Sequence, residues 1–322
     1  MNVLIDEKYL LDNFNISEKD IASSEMSLED LNYISDDFEN NKKDKYEKIM
    51  LDFIKEYFIS DNLKTAKIHS YRSRVKDSDH LVGKIIRKKN ENYKKYAKLN
   101  KDNYEKFVMD LIGIRCFVLF KKDWTYFHDF LLSQFENDEA LYIKNCLDDF
   151  DDDESHNYIA EKPKAHIRNG DARDIYEEKL SPDCVVDDKV YRSVHYIIKY
   201  KGVYLEIQVR TLYEEGWGEV DHAILYPQYK NDWVLNTYTE LMNRLSGLAD
   251  EMASFFNVVK ELEIFYLNNS PNDLIEMNKE VKIEEVSNRI VNSAHNNVKT
   301  EADTPQKQVN NIDGKKGEQD GK

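Results

Sequence analysis

Apolar residues first recur at helical spacing in residues 43–58. Tyr46, Ile49, Met50, Phe53, Ile54, Tyr57 and Phe58 fall three and four apart and predict a helix with one buried face. Ahead of it, residues 1–40 are acidic and helix-prone without a firm period. Residues 65–71 alternate weakly, which suits a strand, and residues 79–99 read as a strongly basic helix. Residues 111–120 (LIGIRCFVLF) are a short run rich in Ile, Val and Phe, better as a buried strand than as a helix. An amphipathic helix is expected over 123–135 and a short strand over 140–146. Residues 148–189 open on the acidic run DDFDDDE and read as irregular, a length of loop that is unusual inside a domain and often functional.

The next stretch is the most regular. Residues 191–200 and 203–210 predict two strands joined by a tight turn at Lys201-Gly202. Residues 211–227 predict a helix stopped by Pro227, and residues 233–266 a long helix or helical pair. In the latter, Tyr238, Met242, Leu245, Ala249, Met252, Phe256 and Val259 alternate steps of four and three, beside a second stripe of Leu241, Leu248, Phe255 and Leu262. Such a stripe either covers the sheet or is a seam for self-association, and the spacing alone fits both. Beyond about residue 270 aromatics disappear and Asn, Lys, Glu, Gln and Gly accumulate, which predicts a mostly disordered tail. The order of elements predicts an α+β fold, a central mixed sheet of about five strands flanked by helices, with C-terminal helices. The chain divides into an acidic helical segment (1–42), the main domain (43–268) and the tail (269–322).

Charge and composition narrow the chemistry. The 46 basic and 62 acidic residues of the 322 give a net charge of −16, which disfavours a general nucleic-acid binder but leaves room for a local basic patch over 84–98. No apolar run approaches the roughly 18 residues a membrane span needs, and the acidic N-terminus lacks a secretion-signal pattern. Cys116, Cys146 and Cys184 form neither a CxxC pair nor a disulfide framework, so a reducing cytoplasm is expected. None of the ten glycines stands in GxGxxG or GxxxxGK[ST]; any bound phosphates would be held by side-chain cations and a metal.

Four segments carry candidate chemistry. Arg72, Arg74 and Lys76, followed by Lys84, Arg87, Lys88 and Lys89, gather cations where a strand enters a helix, a good polyphosphate site, although such runs are often only a solvated face. Asp110, at the start of the apolar run, could bridge Mg²⁺ to phosphate, or could be a simple turn residue. In YRSVHY (191–196), alternation puts Tyr191, Ser193 and His195 on one face, and the ring could stack on a base. In EIQVRT (206–211), Glu206, Gln208 and Arg210 share a face, which is costly unless that face is wet or lines a site.

Taken in order, R-x-K … K, DLIGIR, YRSxH and EIQxRT resemble the synthetase domain of the RelA/SpoT family of alarmone synthetases, over roughly residues 45–265. The continuation EEGWGEVDH is similar to stand-alone, synthetase-only members, and no HD-type hydrolase motif precedes it. The resemblance implies a nucleotidyltransferase-like fold and Mg²⁺-dependent transfer of pyrophosphate from ATP to the 3′-hydroxyl of GTP or GDP, the activity of a GTP diphosphokinase. It implies ATP-binding roles for Arg74, Lys76 and Lys84, and metal-binding, catalytic roles for Asp110 and Glu206. Tyr191 and His195 would serve the acceptor, with Gln208 and Arg210 in support. Two positions depart from the family pattern. His80 stands where Ser is usual, and the lead into the tyrosine motif is Asp187-Asp188-Lys189-Val190, with Asp187 replacing a lysine expected at acceptor phosphates and Lys189 placed to substitute for it. That departure keeps open a toxin-like pyrophosphotransferase acting on tRNA 3′ ends or adenine nucleotides. A catalytically silent nucleotide-binding protein, assembling as a homo-oligomer through residues 238–262, is the third reading.

Overall fold

The computed structural model describes residues 4–142, 155–168, 171–188, 192–224 and 232–268. Three short helices come first: α1 (Glu7–Phe14), α2 (Glu18–Ser24) and α3 (Leu28–Asp37). Each starts on a polar cap: Asp6 accepts from the Tyr9 amide at 2.7 Å, Ser17 and Asp20 form a capping box, and Ser27 accepts from the Asp30 amide at 3.0 Å. A π-helical segment, Phe38–Lys42, leads into α4 (Lys43–Tyr57), which buries Tyr46, Ile49, Phe53 and Tyr57 as their spacing requires. After α5 (Ser60–Thr65) come β1 (Ser70–Val75) and α6 (Ser78–Glu91). The basic helix stops short of residue 99, because Asn92 turns out of helical geometry (φ −146°) and its side chain caps a separate turn, α7 (Tyr93–Tyr96).

Next are α8 (Tyr104–Phe107), β2 (Ile112–Val118) and α9 (Trp124–Gln134). The strand expected over 140–146 is not formed where it is described: residues 140–142 are a turn, and 143–146 lie outside the described residues. The stretch 148–189, expected to be irregular, instead holds β3 (Tyr158–Ile159), β4 (Lys164–Arg168), α10 (Asp174–Glu177) and β5 (Val185–Asp188) within its described part. These pieces are too short and polar to show a period; β3 and β4 pair with β6 (Ser193–Tyr200), and β5 in turn pairs with β4. The turn between β6 and β7 (Val203–Thr211) has positive φ at both Lys201 (48°) and Gly202 (76°), the geometry of a two-residue hairpin. Helices α11 (Leu212–Ile224) and α12 (Trp233–Asn268) follow; Pro227 and the tail 269–322 lie outside the described residues.

Among the described residues seven strands make one mixed sheet in the order β1-β2-β7-β6-β4-β5, with β3 also on β6. The β2–β7 and β4–β5 pairs are parallel, the others antiparallel. One face is dry: Val75, Ile112, Ile114, Cys116, Leu205, Ile207, Val209, Val194, Tyr196 and Ile198 are all buried there. The N-terminal helices pack on α6. Phe14 sits against Gly83, its ring edge-on to His80 at 5.1 Å, and the Tyr9 hydroxyl donates to Asp79 at 2.8 Å.

Helix α12 is turned the other way from a core helix. Its inward face is polar or small: Thr239, Asn243 and Asp250 are buried, and Gly247 leaves the space that the Arg168 guanidinium fills. Asp250 accepts from Arg192 at 2.6 Å, and the Trp217 indole donates to the Thr239 carbonyl at 3.0 Å. The 4-3 stripe faces out, with Tyr238 67%, Leu245 58%, Met252 52% and Phe256 61% exposed. The covering role open to this stripe is therefore not taken among the described residues.

Phe14→Ala should open a cavity between α1 and α6 and cost about 3 kcal/mol. Thermal denaturation checks this, and a melting temperature unchanged from the parent would show that α1 contributes nothing to the fold.

Candidate active site

Strand register assembles the site. Arg74, Gly113 and Glu206 lie in one cross-strand row, and Arg72, Arg115, Gln208, His195 and Lys164 in a second. Side chains alternate along each strand, so both rows project from the face opposite the dry core. Gly113 carries no side chain, and a Cβ there would touch nothing within 4 Å, which keeps the space between Arg74 and Glu206 open. A cleft of about 200 Å³ forms over these rows, with Arg72, Arg74, Lys76, Asp110, Glu206 and Gln208 among its walls.

On one side Asp110, just before β2, sits between two lysines. Its Oδ2 lies 2.9 Å from Lys76 Nζ and 2.5 Å from Lys84 Nζ. Burial alone would raise its pKa, but the two ammonium groups outweigh burial and hold it at about 2. Burial also lowers the Lys76 pKa, against the pull of Asp110. Arg74 is exposed and has no ion-pair partner among the described residues. Of the three cations expected at one polyphosphate site, Lys76, just past β1, and Lys84 on α6 flank one carboxylate, and Arg74 near the end of β1 lines the same cleft.

On the other side Glu206 is also ionised. Its Oε1 lies 3.5 Å from His195 Nδ1 and its Oε2 accepts from Gln208 Nε2 at 2.8 Å. Burial pushes its pKa up, and the His195 hydrogen bond and charge bring it below the usual range. The His195 ring in turn faces the His166 ring at 4.8 Å between centroids. Gln208 Oε1 accepts from Arg210 Nη2 at 2.6 Å, so these two residues stand behind Glu206 rather than in front of it.

Glu215 and Glu219, whose spacing with Asp221 and His222 matches no zinc signature, enter the site as partners of the sheet's arginines. Glu219 on α11 bridges Arg115 (2.6 Å) and Arg72 (2.8 Å), and Glu215 joins Arg115 (3.0 Å) to Arg210 (3.1 Å). Lys164 is exposed and directly opposite His195 in register, with no ion pair among the described residues; Pro163-Lys164 gave no periodic signal. Asp187 needs a correction. Its place in the lead puts it where the resemblance expects a lysine at acceptor phosphates, but its register partner is Ile167 of the dry face, and Arg173 holds both its oxygens at 3.1 Å. Tyr191 lies outside the described residues. The Ser193 hydroxyl is buried and donates to the Val209 carbonyl at 3.3 Å.

The donor set suits a hard divalent cation. Asp110 and Glu206 offer carboxylate oxygens held below their usual pKa, and Asp110 Oδ1 is buried with no hydrogen-bond partner among the described residues. No group of three or more His, Cys, Asp and Glu side chains placed for a metal exists among the described residues. A Mg²⁺ here would complete its shell with phosphate oxygens and water, as that ion does.

Asp110→Asn should weaken the nucleotide-free protein by about 2 kcal/mol at neutral pH, since it leaves Lys76 and Lys84 facing each other. The folded carboxyl titrates below its unfolded value of 3.8, so its stabilisation is present above about pH 4 and lost as pH falls toward about 2. Denaturation of both proteins across that window checks this: the gap between them should close on acidification.

Residues 73–231 match the family model described as the region found in RelA / SpoT proteins. Curated protein sequences give no match. Among solved structures, the small alarmone synthetase 1 from Bacillus subtilis is 17% identical, with 68% of this chain and 98% of that chain covered and a TM-score of 0.43. The same synthetase bound to its product pppGpp is 18% identical, over 68% and 90% of the chains, with a TM-score of 0.37. A GTP pyrophosphokinase family protein from Streptococcus pneumoniae is 20% identical, over 76% and 100%, with a TM-score of 0.40. The stretch 73–231, which holds most of the cleft's strand residues together with α6 and α11, is the part of the chain that matches the RelA / SpoT region.

Proposed function

We propose that the protein is a (p)ppGpp synthetase that transfers the β,γ-pyrophosphoryl group of ATP to the 3′-hydroxyl of GDP or GTP. The observation that carries this reading is one cleft lined by two carboxylates, each beside cationic or hydrogen-bonding partners. Asp110 stands among Arg74, Lys76 and Lys84, and Glu206 is braced by His195 and Gln208. The lysines and Arg74 bind the donor phosphates and offset the charge of the moving group. Glu206 takes the proton as the hydroxyl oxygen bonds to the β-phosphorus, and the bond from that phosphorus to the α–β bridging oxygen breaks, releasing AMP. Mg²⁺ on Asp110 and Glu206 would add charge neutralisation at the transferred group. Lys164 and His195 border the acceptor side, and Lys164 supplies the cation that Asp187 does not. Tyr191 is assigned by its motif to stack on the acceptor base. No helix among the described residues is long and apolar enough to cross a membrane. We place the protein in the cytoplasm with its nucleotides.

Purified protein given ATP, Mg²⁺ and each acceptor in turn tests the reading. The expected product is ppGpp or pppGpp. Labelled tRNA 3′ ends, or products on adenine nucleotides only, would move the assignment to the toxin-like transferase; no product with any acceptor would mark a silent binding protein. Glu206→Gln should abolish turnover and leave ATP binding largely intact, whereas Asp110→Asn should cut transfer by at least about a hundredfold.

We also propose that a second copy of this chain covers the α12 stripe, whose alternating four and three steps suit a paired helix. Light scattering should show an oligomer that Met252→Glu with Phe256→Glu converts to a folded monomer. A parent protein already monomeric at micromolar concentration would refute this.

A further inference from the structure

Behind Glu206 a line of side chains runs to α11. Glu206 Oε2 accepts from Gln208 Nε2 at 2.8 Å, Gln208 Oε1 accepts from Arg210 Nη2 at 2.6 Å, and Arg210 Nη1 donates to Glu215 Oε2 at 3.1 Å. Donor and acceptor chemistry allows one orientation along this line. A guanidinium only donates, so the Gln208 atom facing Arg210 is its carbonyl oxygen. The amide nitrogen then faces Glu206, whose carboxylate only accepts. Reversing the amide would set two donors against each other at one end and two acceptors at the other.

Arg210 can hold that carbonyl only while its own position is fixed. The guanidinium is nearly buried, 6% exposed, and Glu215, 11% exposed, is its charge partner. The other Glu215 oxygen is taken by Arg115 at 3.0 Å, so the carboxylate is held from two sides and does not follow Arg210 if Arg210 moves. Removing the carboxylate takes a charge partner from a buried cation, and the guanidinium that orients the amide is no longer held on that side.

We infer that Glu215 is a positioning residue for the proposed base: through Arg210 it fixes the Gln208 amide, and the amide fixes the Glu206 carboxylate against His195. The inference rests on the reading of Glu206 as the group that activates the acceptor hydroxyl. Glu215 touches neither nucleotide in this account. Its loss acts on the rate of the chemical step more than on binding.

The test is a double-mutant cycle on the purified full chain with ATP, Mg²⁺ and the acceptor that the wild type uses. Glu215→Gln and Gln208→Met should each lower kcat by about tenfold or more, with KM for ATP and acceptor within about threefold of the parent. The double variant should be no slower than Gln208→Met alone, within about twofold, because Glu215 has nothing left to orient once the amide is gone. Multiplying losses, or a loss confined to KM, would overturn the inference. Where Glu215→Gln does not fold, Arg210→Lys replaces it in the same cycle; its ammonium cannot span Gln208 and Glu215 together, and the same non-additivity is expected. Glu206→Gln is the reference. If that variant keeps its turnover, the activating role of Glu206 falls. If it is inactive and the cycle is additive, only the role of Glu215 falls.

Discussion

Two arginines face each other across β1 and β2, and much of the cleft is arranged around that fact. Arg72 and Arg115 are direct register partners, and like charges so placed weaken a sheet. Glu219 reaches both of them, and Glu215 adds a second contact to Arg115. The two carboxylates come from one helix, four residues apart and so on one face. For that face to reach the sheet, α11 must begin where β7 ends, and it does: Thr211 closes the strand, Leu212 opens the helix, and the Thr211 hydroxyl accepts from the Glu214 amide at 3.3 Å. The same logic recurs at Asp110, one anion between Lys76 and Lys84. The protein carries a net charge of −16, yet its cleft presents cations held in place by a few acids.

What could be read from the sequence was whatever had a period or a sharp contrast. The β2 run, the hairpin and α4 show their periods directly. Asp110 and Glu206 stand out as carboxylates against apolar strands. The small strands of 158–188 had neither signal. In β4 only Ala165 and Ile167 point to the core, between Lys164, His166 and Arg168, and five residues of that kind make a strand only beside a template. The same blindness misplaced Asp187. Its neighbourhood along the chain suggested an acceptor site, but the strand it belongs to was invisible, so the face it shares with Ile167 was too. Lys164 escaped for the same reason. The carboxylates on α11 are visible in EEGWGEVDH, but their spacing fits no metal signature, and their role shows only once the arginines of β1 and β2 are placed beneath them.

The α12 stripe shows a different limit. Periodicity establishes that one face of a helix is apolar, not which way that face points. Here the direction is set by the other face. Arg192 is 5% exposed in its side chain and reaches Asp250 at 2.6 Å and Glu214 at 3.4 Å, while Arg168 reaches Glu214 at 2.7 Å. Two guanidiniums at the sheet end need these acids. Buried ion pairs of this kind add little net stability over an apolar contact, but a wrong rotation of the helix would leave charges unpaired, which is expensive. Asp250 therefore fixes the rotation of α12, and Gly247 permits the close approach to Arg168. The apolar stripe is left outward as a consequence.

That arrangement joins two parts of the molecule that the sequence presents separately. Arg192, which holds α12 through Asp250, is three residues before His195 on the strand that faces Glu206. Glu214, its second partner, adjoins Glu215 at the head of α11. The inward face of α12 is thus tied to both elements that brace the Glu206 carboxylate. Its outward face is a contiguous apolar surface of the sort that soluble proteins seldom leave bare. A load on the outer face has no soft layer through which to dissipate: between the stripe and β6 lie one helix, a fully buried aspartate and a guanidinium. Any displacement of α12 large enough to matter must break that ion pair, so the helix is either seated, with the strand in register behind it, or unseated at the cost of a buried charge.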